Sequence, residues 1–199
     1  MDDQPSHFDA GWKDTVTILC AAFMLLTATL MAHISSKAKA SASGNEVPGN
    51  VMFEVRWADA LDADVDLWVQ GPGDIPVGYS NKGGVLFNLL RDDLGKIADV
   101  TNLNYEVAFS RGVYPGLYVA NLHLFRNVSG VYPVEATVVA SIKRKPNESA
   151  VQVATAKVSL KKEGQETTAF RLKLDADGNV VPGSVDNLQT SLRSAGGKQ

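Results

Sequence analysis

The sequence holds a single cysteine, Cys20, and that cysteine lies inside an apolar run near the N-terminus. The rest of the chain can therefore form no intramolecular disulfide and no thiolate metal site. Basic charge is also short. Nineteen Lys and Arg stand against 22 Asp and Glu, for a formal net charge of −3 and a pI of about 5.6. A nucleic-acid interface needs a basic stripe, so DNA and RNA are discounted as partners. Histidine is scarce, and His7, His33 and His123 share no metal-ligand spacing. There is no nucleophile elbow and no thiol outside the apolar run, so no enzymatic activity is expected and His123 reads as structural.

What is present is the composition of a folded protein. The chain is 45% hydrophobic and 21% charged, too apolar for a disordered polymer. Its 199 residues leave room for one domain and an anchor. From Thr15 to Ile34 the run TVTILCAAFMLLTATLMAHI carries no acid, Lys or Arg. At ~1.5 Å per residue that is long enough for the ~30 Å hydrocarbon core of a bilayer, and a helix satisfies its own backbone there. We expect a membrane-spanning helix over 14–34 after a short cytoplasmic tail, 1–13. The alternative is a cleaved signal peptide, with Ala38-Lys39-Ala40 as the small-residue cleavage pattern. The run exceeds the usual apolar length of about 7–15 residues, however, and the segment before it is acidic rather than basic.

Residues 35–50, SSKAKASASGNEVPGN, have the composition of a flexible tether. From Val51 the chain shows eight strand-like runs: VMFEVRW, DVDLWVQ, VLFNLL, YEVAFSR, GLYVANLHLF, VEATVVASI, AVQVATAKVSL and TTAFRLKL. Period-two alternation places Phe53, Val55 and Trp57 on one face, and Leu117, Val119, Asn121, His123 and Phe125 together on another. Turn signals such as Gly71-Pro72-Gly73, Gly83-Gly84, Pro115-Gly116 and Asp177-Gly178 separate the runs. A mainly β domain over 51–185 follows, an antiparallel β-sandwich of immunoglobulin-like or jelly-roll kind. Residues 186–199 are polar and small, and read as a frayed tail.

Two groups of side chains can carry chemistry. Asp14 directly precedes the apolar run, and Thr17 brings a hydroxyl one turn along the same side. A carboxylate at the edge of the hydrocarbon is costly when charged, and is retained where it faces a partner, a cavity or a proton path. The competing reading is an N-cap, in which Asp14 accepts a hydrogen bond from the first turn of the helix. In the second group, Asp62, Asp64 and Asp66 alternate in ALDADVDLWVQGPGD, on one strand face or its entering loop. Clustered oxygens can bind calcium. The competing reading is a solvated strand whose carboxylates face water or pair with Lys and Arg. Asp175, Asp177 and Asn179 in LDADGNVV lack the spacing of an EF-hand, and an Asp-Gly turn accounts for them.

The stretch GWKDTVTILCAAFMLLTATL, residues 11–30, resembles the N-terminal anchor of ion-driven motor subunits, the MotB flagellar stator subunit and its relatives ExbD and TolR. In that family an aspartate precedes a Leu/Phe/Met-rich helix, a linker and a periplasmic domain, and the aspartate binds the proton. The resemblance implies that Asp14 is the proton-binding residue, and Thr17 is assigned to the proton-binding site with it. It also implies a homodimer inside a ring of a MotA/TolQ/ExbB-like polytopic partner in the bacterial inner membrane. Lys37 and Lys39 after the helix pull the other way by the positive-inside rule. The family topology, with the N-terminus in the cytoplasm and the C-terminal domain in the periplasm, is the one we expect. Past Val51 the chain resembles neither the peptidoglycan-binding domain of MotB nor the small αβ domain of ExbD and TolR. Residues 57–126 instead resemble a β-sandwich module of uncharacterised bacterial surface and periplasmic proteins. A membrane-tethered binding module without ion transport is the alternative function.

Overall fold

The computed structural model describes residues 7–42, 49–96, 101–145 and 147–193. Two compact units divide the chain, one ending at Glu46 and the other beginning at Val47. The first contains the helix α1, His7–Ala42. Its 36 residues run about 54 Å at ~1.5 Å per residue, longer than a membrane crossing alone requires. The expected tether therefore begins later than Ser35. The stretch SSKAKASA is rich in Ala and Lys, good helix formers, and the first glycine and proline after the apolar run are Gly44 and Pro48. The rest of the tether, 43–48, and the segments 1–6 and 194–199 lie outside the described residues. Within α1, Gly11–Thr29 is long and apolar enough to cross a membrane.

The second unit consists of eight strands: β1 (Val51–Trp57), β2 (Ala63–Gln70), β3 (Phe87–Arg91), β4 (Tyr105–Ser110), β5 (Gly116–Asn127), β6 (Val134–Ile142), β7 (Val151–Leu160) and β8 (Glu166–Leu174). Each coincides with one of the eight runs to within two residues at either end. They form two antiparallel sheets, ordered β3-β4-β1-β6-β7 and β2-β5-β8. The pairings β3–β4, β2–β5 and β1–β6 are nested one inside the next.

The sheets meet in one core. Phe53, Val55 and Trp57 of β1 turn inward as the alternation predicts, and are joined by Leu67 and Val69 of β2 and by Tyr118, Ala120 and Leu122 of β5. The Phe53 ring lies 5.6 Å from that of Phe87 in its own sheet and 5.8 Å from that of Phe170 in the other. The opposite side of β5, with Val119, Asn121 and His123, is buried as well rather than solvated. The segment after β8 covers it. The Thr190 carbonyl accepts from Asn121 Nδ2 at 2.6 Å, and Glu166 accepts the Leu192 N–H at 2.8 Å. Leu192 is 1% exposed and packs with Trp68 and Val119. The tail expected to fray from Asp186 is thus docked as far as Arg193. Arg171 grips Asp186 through two parallel hydrogen bonds, 2.7 and 2.9 Å, and one apolar side chain, Leu192, fills the gap.

The long β2–β3 connection is held by Asp74. Its Oδ1 accepts the N–H groups of Ile75 and Val85, and its Oδ2 those of Leu86 and Phe87, all at 2.8–2.9 Å. A Cβ on Gly84 would come within 2.6 Å of this carboxylate, so the loop can close over it only with glycine there. Burial acts to raise the Asp74 pKa, but the four backbone donors together hold it below the ordinary 3.8. A group with a depressed folded pKa contributes stability that is present above its unfolded pKa and lost as the pH falls through the folded one. We therefore expect Asp74→Ala to lower unfolding free energy by about 3 kcal/mol at pH 7, by stranding donors that had charged partners. In urea melts of the full chain in detergent, the gap between wild type and variant should narrow below pH ~4.

Candidate functional site

β2 is an edge strand, and an edge strand presents alternate N–H groups to whatever lies beyond it. Two of those donors have identified partners. Val69 N–H and the Val77 carbonyl pair at 2.8 Å, while Leu67 N–H donates to Glu106 Oε2 at 2.7 Å. Glu106 stands on β4 directly across from Val55, and so points to the core side of its sheet. It is fully buried. Its other oxygen, Oε1, accepts the Asp93 N–H at 3.0 Å. Burial pushes the Glu106 pKa well above the ordinary carboxylate range. The N–H of Leu67 counters this, and the nearby charges of Asp66 and Asp92 add to it.

Around the free edge of β2 three segments bring acids together. Asp66 comes from β2, Asp92 from the stretch after β3, and Glu106 from β4. Each offers one oxygen such that all three lie within 4.8 Å of one another. The set is restrained from outside. His123, directly opposite Asp66 on β5, places Nδ1 2.7 Å from Asp66 Oδ2. Lys82 holds Asp92 Oδ2 at 2.7 Å. Asp93 is spoken for, accepting Gly95 N–H on one oxygen and Arg91 with Tyr105 N–H on the other. Asp64, one step back on the Asp66 face of β2, is 3% exposed, and its Oδ1 has no partner. Burial raises its pKa to about 7; Asp66, Asp92 and Asp93 push the same way, and Arg126 opposes them.

The structure thus divides the three alternating aspartates of the sequence. Asp66 joins the cluster and Asp64 borders it. Asp62 precedes β2 and turns away, its Oδ1 accepting the Lys96 N–H at 3.1 Å. The pair on the strand does not face water, since Asp64 and Asp66 are each only 3% exposed. Asp92 and Glu106 were missed. For Glu106 the alternation misleads: in YEVAFS the more apolar phase is Tyr105, Val107 and Phe109, yet Glu106 and Ala108 are the residues that face inward. The acid pair Asp92-Asp93 after a short strand was the available signal. The turn reading of LDADGNVV holds, since Asp175 Oδ1 accepts the N–H groups of Asp177 and Asn179 within its own loop.

On α1, Asp14 lies seven residues past the first helical residue, His7, and so cannot be the N-cap. Asp14 is exposed, and among the described residues no hydrogen bond or ion pair engages its carboxylate. Thr17 does not turn to it. The Thr17 hydroxyl donates to the Lys13 carbonyl at 2.8 Å, and Thr15, Thr27 and Thr29 make equivalent bonds to carbonyls three or four residues back.

Since Glu106 is the acceptor for two buried N–H groups, Glu106→Ala should destabilise the second unit by about 3 kcal/mol. Glu106→Gln, which keeps one acceptor oxygen, should cost roughly half of that in denaturant melts of the full chain. Comparison with known protein families, with curated proteins and with solved structures finds no match to this chain.

Proposed function

We propose that this chain is a single-span membrane protein and the B-type subunit of a proton-motive-force-driven motor or stator-like complex, with Asp14 as its proton-binding residue. The observation that carries the reading is the position of Asp14. It sits about two turns inside a helix whose Gly11–Thr29 stretch is long and apolar enough to cross a membrane, so helix capping does not account for it. One such helix cannot enclose a proton path. A homodimer within a ring of a MotA/TolQ/ExbB-like partner would supply the missing walls, in the bacterial inner membrane with the strand domain in the periplasm. Thr17, bonded to Lys13 O, would contribute to the lining of that path rather than bind the proton.

The nested strand pairs favour a jelly-roll-like sandwich over an immunoglobulin-like one, since rolling up a long hairpin generates them. The sandwich would then act as a head outside the membrane, delivering or resisting force. A second reading, a tethered binding module without ion transport, is favoured by the buried acids in the head.

Asp14→Asn separates the two. An amide keeps the size of the side chain but exists in one charge state. In cells expressing the protein with its channel partner, the variant should abolish proton flux while membrane insertion and assembly persist. Asp14→Glu should retain part of the flux. Equal flux in wild type and Asp14→Asn at equal expression would favour the tethered module. A periplasmic reporter fused after Gln199 should be active and one fused at the N-terminus inactive. The reverse pattern would place the head on the wrong side for a motor.

A further inference from the structure

We propose that Asp66, Asp92 and Glu106 hold a calcium ion at the free edge of β2, with Asp64 bordering the site. The donors are all oxygen, the set that hard cations select. Two oxygens on opposite sides of a calcium ion, each at about 2.4 Å, stand about 4.8 Å apart, and the three carboxylates already fall within that limit of one another.

Two observations beyond the clustering point to a ligand. Asp64 is 97% buried (3% exposed), neighbours Asp66 on the same strand face and has an oxygen with no partner. Asp92 is held by Lys82 through Oδ2 alone, and its buried Oδ1 is likewise unpartnered. The oxygens already engaged are fixed from behind. His123 bonds Asp66 Oδ2, and backbone N–H groups reach both oxygens of Glu106. Such outer contacts orient carboxylates toward an ion without consuming all of their lone pairs. A cation would also neutralise three acids that face one another across a mostly buried space, where Lys82 is the one ammonium bonded to the set among the described residues.

The site belongs to the head, and stands whether or not Asp14 carries protons. Its test uses the full chain in detergent, stripped with chelator, and calcium chloride as the probe. Titration calorimetry should show one calcium bound per chain, and about 2 mM calcium should raise the melting temperature of the strand domain by several degrees. Asp92→Asn is the informative variant, because Asp92 supports no backbone group and its loss should leave the fold intact. It should weaken calcium binding by at least about tenfold and abolish the thermal shift. Asp175→Asn, in the turn outside the cluster, should bind calcium as wild type does. The proposal is overturned if wild type shows neither heat nor thermal shift at about 5 mM calcium, or if folded Asp92→Asn binds as tightly as wild type. Loss of binding in Asp175→Asn with retention in Asp92→Asn would overturn it too, by moving the ion to the turn.

Discussion

Glu106 stands at the seam between the two sheets, and its burial sets the terms for its surroundings. A glutamate facing the core of its own sheet can be tolerated only if both oxygens find donors. They find one on the free edge of β2 and one after β3. Each bond ties a different segment to β4, so one side chain fixes where the edge of the second sheet lies and where the Asp92-Asp93 stretch must pass. The grouping of Asp66, Asp92 and Glu106 results from that anchoring. Without it, β2 would carry an unpaired N–H at Leu67, and the acids would have no reason to converge.

The second sheet is unusual in being buried on both faces in its first two strands. Ala63, Val65, Leu67 and Val69 of β2 face the shared core, while Asp64, Asp66 and Trp68 lie under other parts of the chain. Polar residues are therefore paired laterally. Asp66 meets His123, Asn121 meets Glu166, and Glu166 collects the N–H groups of Leu192 and Arg193 and the hydroxyl of Ser191. Burial acts to raise the Glu166 pKa, yet these donors hold it below its ordinary value. The outer layer is in effect a hydrogen-bonded lid formed by the last described residues of the chain, which meet β8 in a single bridge at Arg171 and Asp186.

The eight strands were legible because alternation and turn residues are local properties. Glycine and proline punctuate the runs at spacings that no helix would tolerate. What was illegible depends on partners distant in sequence. Asp74 reads as an ordinary turn aspartate, and only the return of residues 85–87 makes it a clamp. The stretch from Asp186 to Leu192 looks like a tail because its single buried apolar residue, Leu192, gives no periodicity. On the helix, Asp14 has the residue type of a cap, but the helix begins earlier, at His7: residues 7–13 contain no proline, and their one glycine, Gly11, does not interrupt it. The paired acids of the site sit on three separate segments, and spacing within any one of them does not reveal the other two.

The nesting of the strand pairs bears on how such a chain is made. β1 is the first strand to leave the ribosome, yet both of its partners come later. One of them, β6, begins more than 75 residues after β1 ends. β5 must likewise wait for β8 and for the segment that closes over it. Contacts of such long range form slowly. The α1 helix, complete by Ala42, would be synthesised and committed to its environment while the head was still an open chain. If that helix enters a membrane with its N-terminus on the side of synthesis, the head must cross unfolded and then close on the far side. Under this order of events the strand domain needs no unfolding before export, and any chaperone that guards its exposed strands has to act at the membrane surface.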